Sequence, residues 1–183
     1  MAYRGLAAVV IAKRNTESNR NDYSGGVRSK RVIRISVTPV YEDISDYEDI
    51  NETEEKKVFA YAEISMNAAD SLKDIESMIF GSEATQDSIV SKDTDIHKNV
   101  GVGWRVMETI GGAKRYIAIW IHNVSFTEDS SEHNTRGDSV IYDTSLITGK
   151  AIPDNDGSWR TKKVFATSDE ADSWIDTMAG IKK

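Results

Sequence analysis

Three stretches of the chain alternate apolar and polar residues with a period of two, and this pattern narrows the fold more than any other feature. Ile33, Ile35 and Val37 interleave with Arg34, Ser36 and Thr38; Val58, Ala60, Ala62, Ile64 and Met66 repeat the pattern; Val102, Trp104 and Val106 alternate with Gly103, Arg105 and Met107. Successive side chains of a strand point to opposite faces, so each stretch predicts a half-buried antiparallel strand. Gly111-Gly112 then turns the chain, because glycine supplies the positive φ that tight hairpins demand. The return strand, Tyr116 to Phe126, is apolar on both faces through Ile121 and is expected to lie centrally or face a partner. The apolar run Leu6 to Ala12 is read as a further strand, since it is too short for a secretory signal and ends in Lys13-Arg14.

Two helices complete the pattern. Asn67 is placed to cap the first, with Asp70 near its positive end, a buried stripe of Leu72, Ile75, Met78 and Ile79, and Gly81 as its stop. Thr167 and Glu170 stand in capping-box spacing before Ala171, Trp174, Ile175 and Met178, which share one face of the second. The expected fold is mainly β with minor α: an antiparallel β-sandwich or partial barrel with a flanking helix and a short C-terminal helix. At 183 residues the chain is one domain's worth of polypeptide, and its 39% hydrophobic and 29% charged residues describe a globular protein. With no cysteine, disulfides are excluded.

Charge is unevenly placed. Residues 1 to 41 hold Arg4, Lys13, Arg14, Arg20, Arg28, Lys30, Arg31 and Arg34 against Glu17 and Asp22, a local balance of +6. Residues 42 to 55 reverse it with Glu42, Asp43, Asp46, Glu48, Asp49, Glu52, Glu54 and Glu55 and no cation, a balance of −8. Eight like charges repel one another, so the segment is expected to be a solvated loop unless something basic meets it. The sharper reading makes it a docking arm for a basic surface, such as the N-terminal third of a neighbouring copy. The candidate interface residues are therefore Arg28, Arg31 and Arg34 together with Glu42, Asp43, Asp46, Glu48, Asp49, Glu52, Glu54 and Glu55. The net charge of −7 argues against an affinity built on neutralising phosphates.

Motifs of catalysis and cofactor binding are absent. Thr148-Gly149-Lys150 lacks the earlier glycine of a phosphate-binding loop, and Ala151 stands where Ser or Thr would hold magnesium. Gly101-Val-Gly103 lacks a third glycine and is read as a place of close approach or strand bending. His97, His122 and His133 have no zinc-like spacing, and His122 is expected to be a packed or interface residue. The chain is accordingly read as no enzyme, with no metal and no cofactor. Trp104, Trp120 and Trp159 with Tyr116 and Tyr142 offer an alternative, a monomeric sandwich binding carbohydrate or another surface through an aromatic platform.

Several segments together resemble the major tail proteins of bacteriophages with long non-contractile tails. They are Met1-Ala-Tyr-Arg-Gly-Leu6, Ser36-Val-Thr-Pro-Val-Tyr41, Val100-Gly-Val-Gly-Trp104, Tyr116-Ile-Ala-Ile-Trp-Ile-His-Asn-Val-Ser-Phe126, Arg136-Gly-Asp-Ser-Val140, Ile147-Thr-Gly-Lys-Ala-Ile152, and Gly157 to Thr167 with Ala171 and Trp174. Residues 82 to 99 show no such likeness. The resemblance implies a structural virion protein that assembles into stacked hexameric rings, the tail tube that conducts DNA during ejection. It implies a single tail-tube-like domain over 1–183, with an N-terminal arm (1–26) and a long acidic inter-strand loop (42–57) reaching toward the next ring. Implied partners are identical copies and the tape-measure, terminator and baseplate proteins, with double-stranded DNA passing without specific binding and no membrane. Implied locations are the virion tail and, during assembly, the host cytoplasm. A secretion-system tube protein of similar architecture is the related alternative.

Overall fold

The computed structural model describes residues 3–15, 22–29, 32–45, 55–68, 73–85, 87–128 and 145–181. Ten strands and two helices follow in the order β1 (Tyr3–Arg14), β2 (Tyr23–Ser29), β3 (Val32–Ser45), β4 (Glu55–Ala68), α1 (Lys73–Phe80), β5 (Glu83–Ala84), β6 (Ile89–Val90), β7 (Val100–Ile110), β8 (Ala113–Glu128), β9 (Ser145–Ala151), β10 (Arg160–Phe165) and α2 (Ser168–Met178). Apart from the small β5–β6 pair within the 82–99 stretch, the strands form one antiparallel sheet in the order β2-β1-β7-β8-β9-β4-β3. The fold is mainly β, as the alternation predicts, and the sheet does not close into a barrel.

β8 organises this sheet because it is long enough to have different neighbours along one edge. Tyr116 to Ile121 pair with β10, and Val124 to Glu128 pair with β9. At the changeover His122 N donates to Trp159 O (3.1 Å) and Ile152 N donates to Asn123 O (3.0 Å), so the backbone stays satisfied where the partners switch. The sheet thereby has two wings, β2-β1-β7-β8 with β10, and β3-β4-β9 joined to the far end of β8. The wings share one core: Val9, Ile11, Val102 and Ile121 of the first wing meet Ile64, Met66 and Ile147 of the second and Phe126 at the far end of β8. Ile75, Met78, Ile79 and Phe80 of α1 bury into the same cluster.

The first wing is buried on both faces. Val9 and Ile11 enter the shared core, while Val10 and Ala12 point to a second cluster with Trp120, Ala171, Ile175 and Ala179 under α2. This explains why Leu6–Ala12 reads as a continuous apolar run: a strand covered on both sides needs apolar residues in both phases. Trp120 is fully buried there, its indole crossing β7 at the two glycines. A Cβ on Gly101 would come within 2.5 Å of Trp120 Cζ2 and of Tyr23 Cε1, and one on Gly103 would enter the same indole. The Gly-x-Gly pair is thus a seat for a ring. The α2 box forms as expected: Glu170 N donates to Thr167 Oγ1 and Thr167 N donates to Glu170 Oε2, both at 3.3 Å.

Several expectations are corrected. Asn67 is no helix cap, because β4 runs on through Ala68 and Asn67 pairs with Arg34 and Leu146 inside the sheet. Leu72 lies outside the described residues. In β4 the partners step from Tyr61 to Phe59 while β3 advances only from Val40 to Tyr41, a bulge at Ala60. One inserted residue reverses the phase. Phe59 therefore packs on the core, and Val58 is 45% exposed. A similar bulge at Ile33 puts Val32 against the core and leaves Ile33 57% exposed. Of the N-terminal arm expected over 1–26, residues 3–14 and 23–26 are strands of the sheet. Of the acidic loop expected over 42–57, residues 42–45 and 55–57 are paired ends of β3 and β4, and 46–54 lie outside the described residues.

Candidate assembly surface

The end strands of the sheet, β2 and β3, are neighbours in sequence but do not pair with each other, so each keeps one edge without a strand among the described residues. β3 offers 14 residues of such edge. Its inner neighbour β4 pairs with β9 only from Ala62 onward, so before that point β3 and β4 pair with no third strand among the described residues and run on as a two-stranded ribbon.

The sequence candidates distribute along this ribbon unevenly. Glu42 and Asp43 are exposed near its far end, opposite Val58 and Lys57. Glu55 pairs with Ser45 there. Arg34 is exposed on the same strand, eight residues from Glu42, or about 26 Å at strand rise. Those two ends of β3 cannot neutralise one another within a chain. Arg28 sits in β2 and is bonded to Asp176 of α2. Arg31, Asp46, Glu48, Asp49, Glu52 and Glu54 lie outside the described residues.

Arg14, another cation of the basic third, is also taken internally. It pairs with Asp154, and both side chains are almost fully buried. The surrounding node ties β1, β2, β8, β10 and the 152–159 loop together. The Tyr23 hydroxyl donates to the His122 carbonyl (2.8 Å), which leaves its oxygen to accept from His122 Nδ1 (3.3 Å). Nε2 is then free to accept from the Thr161 hydroxyl (2.8 Å). Burial lowers the His122 pKa against the opposing pull of Asp154 and Asp156, and it pushes the Tyr23 phenol up to about 12. As expected, His122 is packed, at 4% exposure.

Two features of the surface escape sequence reasoning. The first is the outer face of the second wing. Registers place Thr38, Glu63, Lys150 and Ser125 in one row across four strands and Ser36, Ser65, Thr148 and Thr127 in the next. The rows line a trough of about 530 Å³. Glu63 faces Lys150 across the ladder, and Lys150 Nζ lies 4.7 Å from the Tyr61 ring centre. Thr148-Gly149-Lys150 is therefore strand, not phosphate loop, and Gly149 leaves room for Phe126.

The second is an aromatic ladder at the ribbon's root. Tyr41 meets Phe59 edge-on at 6.0 Å, Phe59 stacks on Trp159 at 4.4 Å and 8°, and the Arg160 guanidinium caps Trp159 at 4.2 Å. The bulge at Ala60 makes this possible by turning Phe59 inward. The ladder also uses up Trp159, while Trp104 and Trp120 are buried. Tyr116 is partly buried beneath Arg105, and Tyr142 lies outside the described residues. Four of the five aromatics of the alternative platform, Trp104, Trp120, Trp159 and Tyr116, thus have packing roles. No group of acidic or histidine side chains that could hold a metal ion occurs among the described residues. Set against protein-family models and against curated proteins, the sequence matches none.

Proposed function

We propose that this chain is a structural virion subunit that assembles with identical copies into stacked hexameric rings, the tube of a phage tail and the conduit for its DNA. The observation that carries the reading is the long edge of β3, which has no partner strand among the described residues and continues into a ribbon held at its root by the Phe59–Trp159 stack. Such an edge is a template for another strand; the bulge at Ile33 lies at its start, and twelve residues from Arg34 to Ser45 follow it, of which Pro39 has no N–H to offer. Pairing around a ring would complete the edges and turn the hydroxyl rows of the second wing to a common side. A wall of Ser and Thr with Glu63, Lys150 and, at its margin, Arg34 per copy sets its cations on different strands, β9 and β3, which suits a conduit better than a phosphate-holding cluster would. The resemblance of the sequence segments supports the same reading. The test is electron microscopy of the concentrated protein with sedimentation over a range of salt. Rings or hollow tubes are expected; a monomer at every concentration overturns the reading.

A further inference from the structure

Two of the eight cations of the basic third, Arg14 and Arg28, are matched within the chain, and the fold offers the acidic 42–55 segment a further set. Arg160, Lys162 and Val164 share one face of β10, opposite Ile121, Ile119 and Ile117 of β8, and Arg115 follows on that face beyond Ile117. Lys163 points to the opposite face of the same strand. None of these four cations has a carboxylate partner among the described residues. β10 pairs only with β8, so its other edge has no strand among the described residues. Val164, 57% exposed, puts an apolar side chain among the charges.

Lysine on an edge strand is a common guard against aggregation. That accounts for one lysine. It does not account for Arg160 and Lys162 on one face, where burial and the Arg160 charge both hold Lys162 below the usual lysine range. Two unpaired cations that oppose each other lose that repulsion when a carboxylate arrives. The acidic segment brings −8 over fourteen residues and carries Ile44, Tyr47 and Ile50 at three-residue spacing, so it presents apolar as well as anionic groups.

We propose that β10, with the adjoining start of β8, is the acceptor surface for the acidic 42–55 segment of a second copy of this chain. This rests on the tube reading and names the surface that would receive the ribbon between copies. The contact is head-to-tail, since ribbon and acceptor are different parts of the molecule, and it therefore propagates. Charge across it sets register and speeds encounter, and salt weakens it.

A charge exchange in the full-length chain tests the assignment. Self-association is measured by sedimentation velocity at low and high salt for the wild type, for Lys162→Glu/Lys163→Glu, for Glu52→Lys/Glu54→Lys, for the chain carrying all four changes, and for an equimolar mixture of the two doubles. Each double is expected to associate roughly tenfold more weakly. The mixture and the four-change chain are expected to recover, which also shows that the doubles are folded. Doubles that associate like the wild type, or a mixture that fails to recover, overturn the acceptor surface. A wild type that forms tubes while the doubles do the same overturns this assignment and leaves the tube reading standing. A wild type that never associates overturns both.

Discussion

The two outer faces of the sheet start from the same alternation and meet opposite fates. On the first wing, Val10, Ala12, Ala118 and Trp120 alternate outward, and α2 covers them with Ala171, Ile175 and Ala179. On the second, Ser36, Thr38, Ser65, Thr127 and Thr148 alternate outward, and no helix of the described residues covers them. The difference lies in which residues occupy the outward phase. Large apolar groups there require a lid, and glycines beneath them let the lid's cluster settle on the backbone. Hydroxyl groups hydrogen-bond to water, so the same pleat stays open without loss. A sheet with one closed and one open face has a built-in inside and outside, the polarity that a wall needs.

The sharpest way to break this comparison is to fill the seat of the closed face. Gly103→Val places side-chain atoms in the Trp120 indole, next to Ile175. Neither the fully buried ring nor the strand can withdraw, so the cost is expected near the top of the roughly 1–3 kcal/mol typical of overpacking. Urea unfolding followed by tryptophan fluorescence reads it as a lowered midpoint. A midpoint equal to the wild type would mean that Trp120 does not lie across β7.

A smaller effect comes from the polar node at the margin of that face. With the His122 imidazole held below its ordinary 6.5 in the fold, the unfolded chain takes up the proton first as pH falls. The associated stability is complete above about 6.5 and is lost progressively below it. Unfolding midpoints at pH 7.5, 6.5 and 5.5 are therefore expected to fall with acidity, and His122→Gln is expected to flatten that slope between 7.5 and 5.5. Equal slopes in both proteins would remove His122 from the acid response.

How much of this was legible in the sequence differs by the range of the contact involved. Period-two alternation marks β3, β4 and β7, the apolar run after the Gly111-Gly112 turn marks β8, and Thr167 with Glu170 marks the start of α2, because those signals are local. The bulges at Ile33 and Ala60 were not legible: any residue can be the extra one, yet each reverses the phase of what precedes it. Asn67 carries cap chemistry but lies where a strand ladder competes for its backbone, and the ladder wins. The charges show the same limit. The basic N-terminal third was visible, but Arg14 and Arg28 are matched by Asp154 and Asp176, partners 140 and 148 residues away. The Phe59–Trp159 stack likewise joins β4 to the 152–159 loop, whose proximity only the fold determines.

The open face offers the smallest effect and the cleanest contrast with Gly103. Thr148 lies in the middle of β9, between Ser65 and Thr127 on the outer rows, where its side chain meets no helix. Thr148→Val keeps the β-branched shape that a strand favours and removes one hydroxyl of a half-buried side chain lining the trough. Its expected cost is within about 0.5 kcal/mol, the usual span for surface substitutions. Thermal unfolding of the monomeric protein is the measurement, at a concentration below any association. A loss comparable to that of Gly103→Val would mean that the trough is packed against something, and the distinction between a covered and an uncovered face would fail. A null result would instead show that the open face has no part in folding, as the proposed tube requires of it.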